Sequence, residues 1–301
     1  MAAMEQQLTE FVRQGLADTS ATISDYRVDE LTGGFSGAAV HRFHGEAATT
    51  AGVRPWSLVR KRCHPENGST NPTDHNYWRR EVAYYESDLG AARPPHLNTP
   101  HCFDIEATTD GGYWLWLEDR GTQELTTQWP VAVYGVVARH FGHFNGIYLT
   151  GQSLPQYPWL RQPDVRERLQ LAEPGIAELP ALQHNPHLAA LLPGDHVERM
   201  QRLWAVREPL LTALEELPQT FCQRDAFQRN LLLRHDENGT LRTIALDWGL
   251  CGLGMLGEEL VPLFAATLKF VFADAMQLAE LEQTIFTGYV ADLRDAGWKG
   301  D

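Results

Sequence analysis

The spacing of apolar residues changes along the chain, from alternation in its first part to helical periodicity in its second. Alternating apolar and polar residues predict strands, whereas apolar residues three or four positions apart predict amphipathic helices. In the first part these patterns predict two helices, over residues 8–16 and 76–89, and five strands, over residues 26–31, 38–43, 56–61, 101–107 and 113–117.

The second part is predicted to be mostly helical, with one clear β-hairpin. Helices are predicted over residues 129–149, 196–217, 260–276 and 278–293, and loops with short helices over residues 152–193. Residues 231–233 are apolar, and residues 241–246 suit a return strand with Ile244 and Leu246 on one face. Between them lies a turn-forming cluster at 236–239, which is the pattern of two strands joined by a tight turn. The whole pattern predicts an α+β fold.

The hairpin brings together polar residues that lie far apart in sequence. In an antiparallel pair, the start of the first strand lies beside the end of the second. Asn230 and Asp247 are therefore predicted to meet, with Asp225 just upstream of the first strand. Two carboxylates and one amide form a set of oxygen ligands, which suits Mg²⁺ better than zinc.

The same residues have the spacing of a phosphoryl-transfer site. An Asp, four residues, an Asn and then a strand-borne Asp-x-Gly are typical of protein-kinase-like enzymes. Either Asp alone could be an ordinary turn or helix-cap residue. The joint pattern of Asp225, Asn230 and Asp247 around a hairpin indicates chemistry more strongly than any one of them.

On these residues the chain resembles the aminoglycoside phosphotransferase family, the small-molecule branch of the protein-kinase-like fold. Residues 221–233 and 246–260 carry most of the resemblance. It implies a bilobal structure: a nucleotide-binding N-lobe of antiparallel sheet plus helix at residues 1–117, and a mostly helical catalytic and substrate-binding C-lobe at residues 118–301. It also implies that Asp225 is catalytic, that Asn230 and Asp247 bind Mg²⁺, and that the nucleotide is ATP, with GTP left open.

The resemblance assigns further nucleotide-binding positions in the first part of the chain. Lys61 would contact the phosphates and Glu81 would orient it, although a basic strand end and a surface helix glutamate are also ordinary features. Arg60 or Arg62 would replace Lys61 if a bulge shifted the strand register. The strand end at Glu118 would form the hinge whose backbone pairs with the base. The glycine-rich loop that would cover the phosphates, or be a plain hairpin turn, contains Gly33, Gly34, Ser36 and Gly37.

Two residues of the catalytic segment need separate interpretation. Gln223 stands where the family usually has His, which makes the rigidity of the loop less certain. Arg229 precedes Asn230, and we expect it either to neutralise charge on the transferred phosphoryl group or to brace the loop against a nearby acid. His140 and His143 lie on a predicted helix without an acidic or cysteine partner nearby, so we interpret them as packing residues rather than metal ligands.

Composition limits the classes of partner. An apolar fraction of 43% is enough for a packed core, and a net charge of −14 argues against binding to nucleic acid or anionic membranes. The acidity is compatible with a cationic substrate, but it also serves solubility. The four cysteines form no C-x-x-C motif and the N-terminus lacks a signal-peptide pattern, so we expect a cytoplasmic location.

The predicted function is an ATP- and Mg²⁺-dependent phosphotransferase that acts on a hydroxyl group of a small molecule, as aminoglycoside-, choline- or homoserine-kinase-like enzymes do. The alternative is a nucleotide-binding pseudokinase with a regulatory or scaffold role, which Gln223 motivates. A protein kinase is less consistent with the sequence, because no A-P-E segment follows Asp247. The acceptor and the oligomeric state stay open.

Overall fold

The first part of the chain forms a five-stranded antiparallel sheet. A computed structural model describes residues 2–32, 37–92, 94, 96–121, 129–185, 194–236, 238–269 and 277–300. The strand order is β1-β2-β3-β6-β5, with β1 at Thr22–Glu30, β2 at Val40–Thr49, β3 at Gly52–Cys63, β5 at Cys102–Ala107 and β6 at Tyr113–Glu118. The lobe boundary proposed after residue 117 would fall one residue before the end of β6.

Helices cover the two faces of this sheet. On one face, α1 (Ala2–Leu16) buries Leu8 and Phe11 in a cluster that includes Trp116. On the other face, α2 (Arg80–Glu86) buries Val82 against Leu115. Since successive strand residues point to opposite faces, neighbouring positions of β6 supply both cores. The second core positions α2, and with it Glu81, beside the end of β3.

Two long helices form the centre of the second part. Helix α4 (Val131–Leu149) packs along α10 (Leu278–Asp295). The close approach depends on Gly142, where a Cβ atom would lie 2.2 Å from the backbone oxygen of Tyr289. The remaining elements are α3 (Asp88–Ala91), β4 (Leu97–Asn98), α5 (Val165–Gln170), α6 (Glu173–Gln183), α7 (His196–Ala205), α8 (Arg207–Glu215), β7 (Gln219–Cys222), β8 (Leu231–His235), β9 (Leu241–Ala245), β10 (Gly252–Met255) and α9 (Leu260–Lys269).

The site-forming hairpin is β8 paired with β9, and β9 also pairs with β4 in a parallel arrangement. A second small sheet pairs β7 with β10. Both sheets bury their inner residues, Leu231 and Phe221 among them, in the core that α4 and α10 contribute to. The segments that connect these four strands, residues 223–230 and 246–251, are thereby held together at one end of the core.

The α+β prediction is confirmed, and the differences are local. The helix predicted over 76–89 begins only at Arg80, because the backbone N–H of Trp78 bonds to Ser69 instead of continuing a helix. The helix predicted over 196–217 is two helices separated at Val206. The helix predicted over 260–276 runs to Lys269 as α9, and its remaining residues lie outside the described part. None of the described helices is long and apolar enough to cross a membrane.

Candidate active site

Lys61 pairs with two carboxylates that come from different parts of the chain. Its Nζ lies 2.6 Å from Oε2 of Glu81 and 3.0 Å from Oδ1 of Asp247. Lys61 comes from β3, Glu81 from the first turn of α2, and Asp247 follows β9. The in-register Lys61, and not Arg60 or Arg62, therefore occupies this position. Arg60 pairs instead with Glu106, and Arg62 pairs with Asp110.

The three charges perturb one another because Lys61 and Glu81 are largely removed from solvent and Asp247 is half-buried beside them. Burial alone would lower the pKa of Lys61, but Asp247 and Glu81 outweigh it and hold the pKa above its ordinary value. Burial raises the pKa of Glu81, and Lys61 opposes this rise. Burial also acts to raise the pKa of Asp247, but the Lys61 ammonium keeps it below the usual range. Lys61 therefore stays protonated.

Asp225 and Asn230 form a second pair on the same side of the hairpin. The side-chain Nδ2 of Asn230 donates to Oδ2 of Asp225 at 2.7 Å and to its backbone oxygen at 3.2 Å. Burial, together with the nearby carboxylate of Asp247, raises the pKa of Asp225 to about 6. A carboxylate with a pKa near neutrality is well suited to exchange a proton with a substrate hydroxyl.

Gln223 links these two groups through its side-chain amide. The residue is fully buried. Its Nε2 donates to the backbone oxygens of Leu246 and Asp247 at 2.9 and 2.8 Å, and its Oε1 accepts the backbone N–H of Asp225 at 2.7 Å. The amide thus makes three hydrogen bonds, which connect the backbone at Asp225 to the backbone at Leu246 and Asp247. The substitution for His does not leave this position without contacts.

The carboxylate of Glu259 holds the backbone of the same segment at Gln223 and Arg224. The buried carboxylate of Glu259 accepts the backbone N–H of Gln223 and, at 3.0 Å, that of Arg224. Burial raises the pKa of Glu259 to about 8, against the effect of these two donors. Arg224 and Asp247 both adopt a positive φ, of 68° and 55°. Non-glycine residues rarely do so, and such backbone strain is commonly found at functional sites.

A cavity of about 290 Å³ contains most of the sequence-predicted site. Six of the predicted residues line it: Lys61, Glu81, Asp225, Arg229, Asn230 and Asp247. Gly37 lies close by, since a Cβ atom on it would be 3.8 Å from Nδ2 of Asn67, another wall residue. The predicted phosphate-loop residues Gly33, Gly34 and Ser36 lie outside the described residues.

Glu118 is not brought into this cavity. It lines a different cleft between α1 and the sheet. Its backbone N–H already bonds to the oxygen of His101 at 2.8 Å, and its carboxylate pairs with Arg120. A hinge contact from Glu118 itself would therefore have to use its backbone oxygen.

The oxygen atoms in the cavity fit a hard divalent cation. Asn230 contacts Asp225 through Nδ2, and Asp247 contacts Lys61 and the backbone N–H of Gly249 through Oδ1. Within the described part of the chain, no partner is found for the remaining oxygen of either side chain, Oδ1 of Asn230 or Oδ2 of Asp247. Amide and carboxylate oxygens are the ligands that Mg²⁺ prefers. No group of three His, Cys, Asp or Glu side chains among the described residues could hold a metal ion, so the fit depends on the amide of Asn230.

The prediction that His140 and His143 pack rather than bind metal agrees with their contacts. The ring of His96 stacks on His140 with centroids 5.3 Å apart and contacts His143 edge-on at 5.8 Å. His140 also bonds through Nδ1 to Oγ1 of Thr243 at 2.8 Å.

Sequence reasoning missed one wall of the cavity. Five residues of the loop between β3 and α2, residues 64–79, line it: His64, Asn67, Asn76, Tyr77 and Trp78. A helix was predicted from residue 76, so these side chains had no assigned role. The turn-forming Asn67-Gly68-Ser69 and Asn71-Pro72 steps were the available signal that an ordered loop precedes the helix.

Comparison with solved structures shows proteins of the same fold. Two solved structures with TM-scores of 0.52 share the fold: an amicoumacin kinase described in complex with AMP-PNP and Ca²⁺, 14% identical, covering 97% of this chain and 78% of its own; and a microcompartment-associated aminopropanol kinase, 12% identical, covering 94% and 80%. No curated protein matches the sequence significantly. The predicted kinase-like fold is confirmed.

The sequence profile of the phosphotransferase enzyme family matches residues 87–294, which is well over half of the 301 residues. The matched range includes β8, β9 and the segments before and after them. The resemblance that was inferred from those segments is therefore confirmed: the chain belongs to the phosphotransferase enzyme family.

Proposed function

We propose that the protein is an ATP- and Mg²⁺-dependent phosphotransferase whose acceptor is a hydroxyl group of a small molecule. The observation that carries the proposal is the ion-paired group of Lys61, Glu81 and Asp247 in one cavity with Asp225 and Asn230. Phosphoryl transfer needs mainly positioning and charge neutralisation, and kinase-like enzymes require the strand lysine to be paired with a helix glutamate. That ion pair is already formed here.

Each residue then has a role that follows from its contacts. Asp225 accepts the proton of the acceptor hydroxyl as the hydroxyl oxygen bonds to the terminal phosphorus and the bond to the leaving diphosphate oxygen breaks. Asn230 orients the Asp225 carboxylate through its 2.7 Å hydrogen bond. Lys61, held by Glu81, neutralises phosphate charge. Bound Mg²⁺ would be held by Asn230 and Asp247 and would supply further charge neutralisation at the phosphates.

The contacts of Gln223 support catalysis over the pseudokinase alternative. That alternative was motivated by the absence of His, which threatened the rigidity of the loop. The three hydrogen bonds of the Gln223 amide fix the backbone of Asp225 relative to that of Asp247. A catalytic segment held in this way is preorganised without the histidine.

Arg229 is proposed to neutralise charge on the transferred phosphoryl group, because it lines the same cavity as Asp225. An Arg229→Ala variant should lower turnover more than nucleotide affinity, and unchanged turnover would rule out the role. We also propose lobes at residues 1–117 and 118–301 and a cytoplasmic location, which the four free cysteines support.

The deciding experiment measures ADP formation with ATP and Mg²⁺ over a panel of aminoglycosides, amino alcohols, sugars and homoserine-like alcohols. Loss of a general base typically costs about 10²- to 10⁴-fold, so we expect Asp225→Asn to reduce turnover by that amount with little change in nucleotide affinity. Asp29→Asn is the matched control, since its side chain is 59% exposed on the first strand. It should behave as the wild type.

Two outcomes would contradict the proposal. Wild-type turnover by Asp225→Asn would remove the assigned base. Mg²⁺-dependent ATP binding without phosphorylation of any acceptor would favour the pseudokinase instead.

A further inference from the structure

An apolar cavity of about 360 Å³ lies between α2, α3, β4, α4 and β7, and it shares no described wall residue with the catalytic cavity. None of its described wall residues is charged, and those that are neither apolar nor aromatic are Asn98, Thr99 and Gln152. The aromatic ones are Tyr84, Phe144, Tyr148, Phe221 and Trp248. Small-molecule sites typically have about 300 to 1,000 Å³ and a mainly apolar lining. Since an apolar cavity of about 150 Å³ can hold benzene, this one has room for two fused rings.

Within the described part of this apolar cavity, Tyr148 presents a hydroxyl without a hydrogen-bond partner. Tyr148 is only 9% exposed, and no hydrogen bond from its side chain to another described residue is found. Burial raises the pKa of this hydroxyl, so it stays protonated and can both donate and accept. By contrast, the hydroxyl of Tyr84 bonds to Thr99. A ligand with one polar group on its ring would supply the partner that Tyr148 lacks.

The apolar cavity is open to solvent beside Ala92 and Gln152. Both residues line it and both are exposed, so a ligand can enter there without unfolding the core. The side chains of Asn98 and Gln152 are neutral amides, so the described wall offers no charge that would compensate an ionised ligand. Moving an uncompensated charge out of water costs far more than moving a neutral polar group, so an uncharged occupant is expected.

Two wall residues connect the apolar cavity to the ion-paired group of the active site. Tyr84 lies on α2 about one turn after Glu81, and Trp248 follows Asp247 directly. The rings of Tyr84 and Trp248 are stacked, with centroids 4.4 Å apart and planes within 4° of parallel. A molecule that packs against both rings therefore holds α2 in place relative to the segment 246–251. The contacts of Lys61 with Glu81 and Asp247 depend on the same relative position.

We propose that the apolar cavity is a regulatory site for an uncharged aromatic ring compound with one hydrogen-bonding group, and that its occupant strengthens nucleotide binding. A ligand that binds the arrangement in which Lys61 is paired with Glu81 stabilises that arrangement. Kinase-like enzymes use the same lysine–glutamate pair to contact the nucleotide phosphates. Coupling between two sites is reciprocal, so the nucleotide also strengthens binding of the ring compound. The inference goes beyond the proposed reaction, because the occupant is not an acceptor.

The test uses 2-naphthol at pH 7 as the neutral probe and 2-naphthoate as its charged counterpart, with binding to the full chain measured by calorimetry. We expect 2-naphthol to bind at least ten times more tightly than 2-naphthoate. Tyr148→Phe, which removes only the hydroxyl, should weaken binding of 2-naphthol at least three-fold. Ile147→Trp, which fills the cavity from a half-buried wall position, should abolish it. Saturating 2-naphthol should lower the Kd of a non-hydrolysable ATP analogue with Mg²⁺ at least three-fold.

Tyr26→Phe is the matched control, because Tyr26 is half-buried on β1, away from the cavity, and its hydroxyl also has no hydrogen bond to another described residue. Tyr148→Phe keeps the test decisive even if Ile147→Trp does not fold.

The possible results separate the parts of the inference. Absence of saturable 2-naphthol binding, or binding that Tyr148→Phe leaves unchanged, overturns the site. Tighter binding of 2-naphthoate overturns the uncharged class of ligand. Unchanged or weaker nucleotide binding in the presence of 2-naphthol overturns the regulation. Binding and coupling as expected, without phosphorylation of any acceptor, would overturn the proposed reaction but support this site.

Discussion

Replacing Gln223 by Glu tests whether this residue holds the two halves of the site together. The change keeps the size and shape of the side chain but exchanges Nε2, which donates to Leu246 and Asp247 at 2.9 and 2.8 Å, for an oxygen atom. A carboxylate oxygen cannot donate to a carbonyl oxygen. Two buried carbonyl groups would lose their donor, while Oε1 could still accept from Asp225.

The expected cost follows from the two carbonyl groups that no longer have a donor. A buried polar group that is left without a partner costs about 1 to 3 kcal/mol, so two such groups should destabilise the fold by about 4 kcal/mol. If the new side chain took up a proton, one donor would remain and the destabilisation would be about 2 kcal/mol. At about 2 to 4 °C per kcal/mol, the melting temperature should fall by at least about 4 °C and by up to about 16 °C.

The assay is thermal unfolding at pH 8, with and without Mg²⁺ and a nucleotide. Gln283→Glu makes the same chemical change on the exposed face of α10 and should leave the melting temperature within about 1 °C of the wild type, as surface substitutions usually do. We also expect the nucleotide to stabilise Gln223→Glu less than the wild type, because the backbone of Asp247 is released. A Gln223→Glu protein with the stability of the Gln283→Glu control would refute the reasoning.

Three further predictions concern the hydrogen bonds of Arg80, the proposed base Asp225 and the contact between α4 and α10. A lysine at position 80 has too few donors for the five carbonyl oxygens that Arg80 contacts, so Arg80→Lys should lower the free energy of unfolding by about 2 to 4 kcal/mol, measured by chemical denaturation. The control is Arg79→Lys, at the partly exposed pair with Glu86, which should lower it by less than about 1 kcal/mol. Because the pKa of Asp225 is raised to about 6 and only the ionised carboxylate accepts a proton, kcat/KM should fall as the pH is lowered through about 6, and a flat profile from pH 5 to 7 would exclude Asp225 as the base. Gly142→Ala should destabilise by about 1 to 3 kcal/mol, since its Cβ would lie 2.2 Å from the Tyr289 oxygen, whereas Gly175→Ala, where nothing lies within 4 Å, should be neutral or slightly stabilising.

The residues that the sequence located most accurately belong to one local unit. Asn230 and Asp247 lie on either side of a single hairpin, so predicting the hairpin was enough to bring them together. The positions of Lys61 and Glu81 required the family resemblance, because Lys61 contacts Glu81 and Asp247, which lie on other elements and are remote from it in sequence. The structure confirms that the three side chains are in contact, while their roles in a reaction stay predictions.

Contacts between remote segments were not predictable in the same way. The acceptors of Arg80 come from the loop before α2, from Trp159 and from Gly249, and no periodicity relates these positions. The same is true of Gln223. The sequence presented it as a departure from the family pattern, and only its three hydrogen bonds show how an amide holds the segment.

The sequence by itself determined the α+β fold, the family and the Asp225–hairpin–Asp247 unit, because alternation, helical periodicity and turn residues act over short distances. Tertiary structure decided which loop lines the cavity beside that unit and which carboxylates pair with Lys61. Those properties depend on burial and on contacts between remote segments, such as the contact of Arg80 with Gly249, which lies 169 residues away in sequence. Such contacts form only when the whole chain has packed.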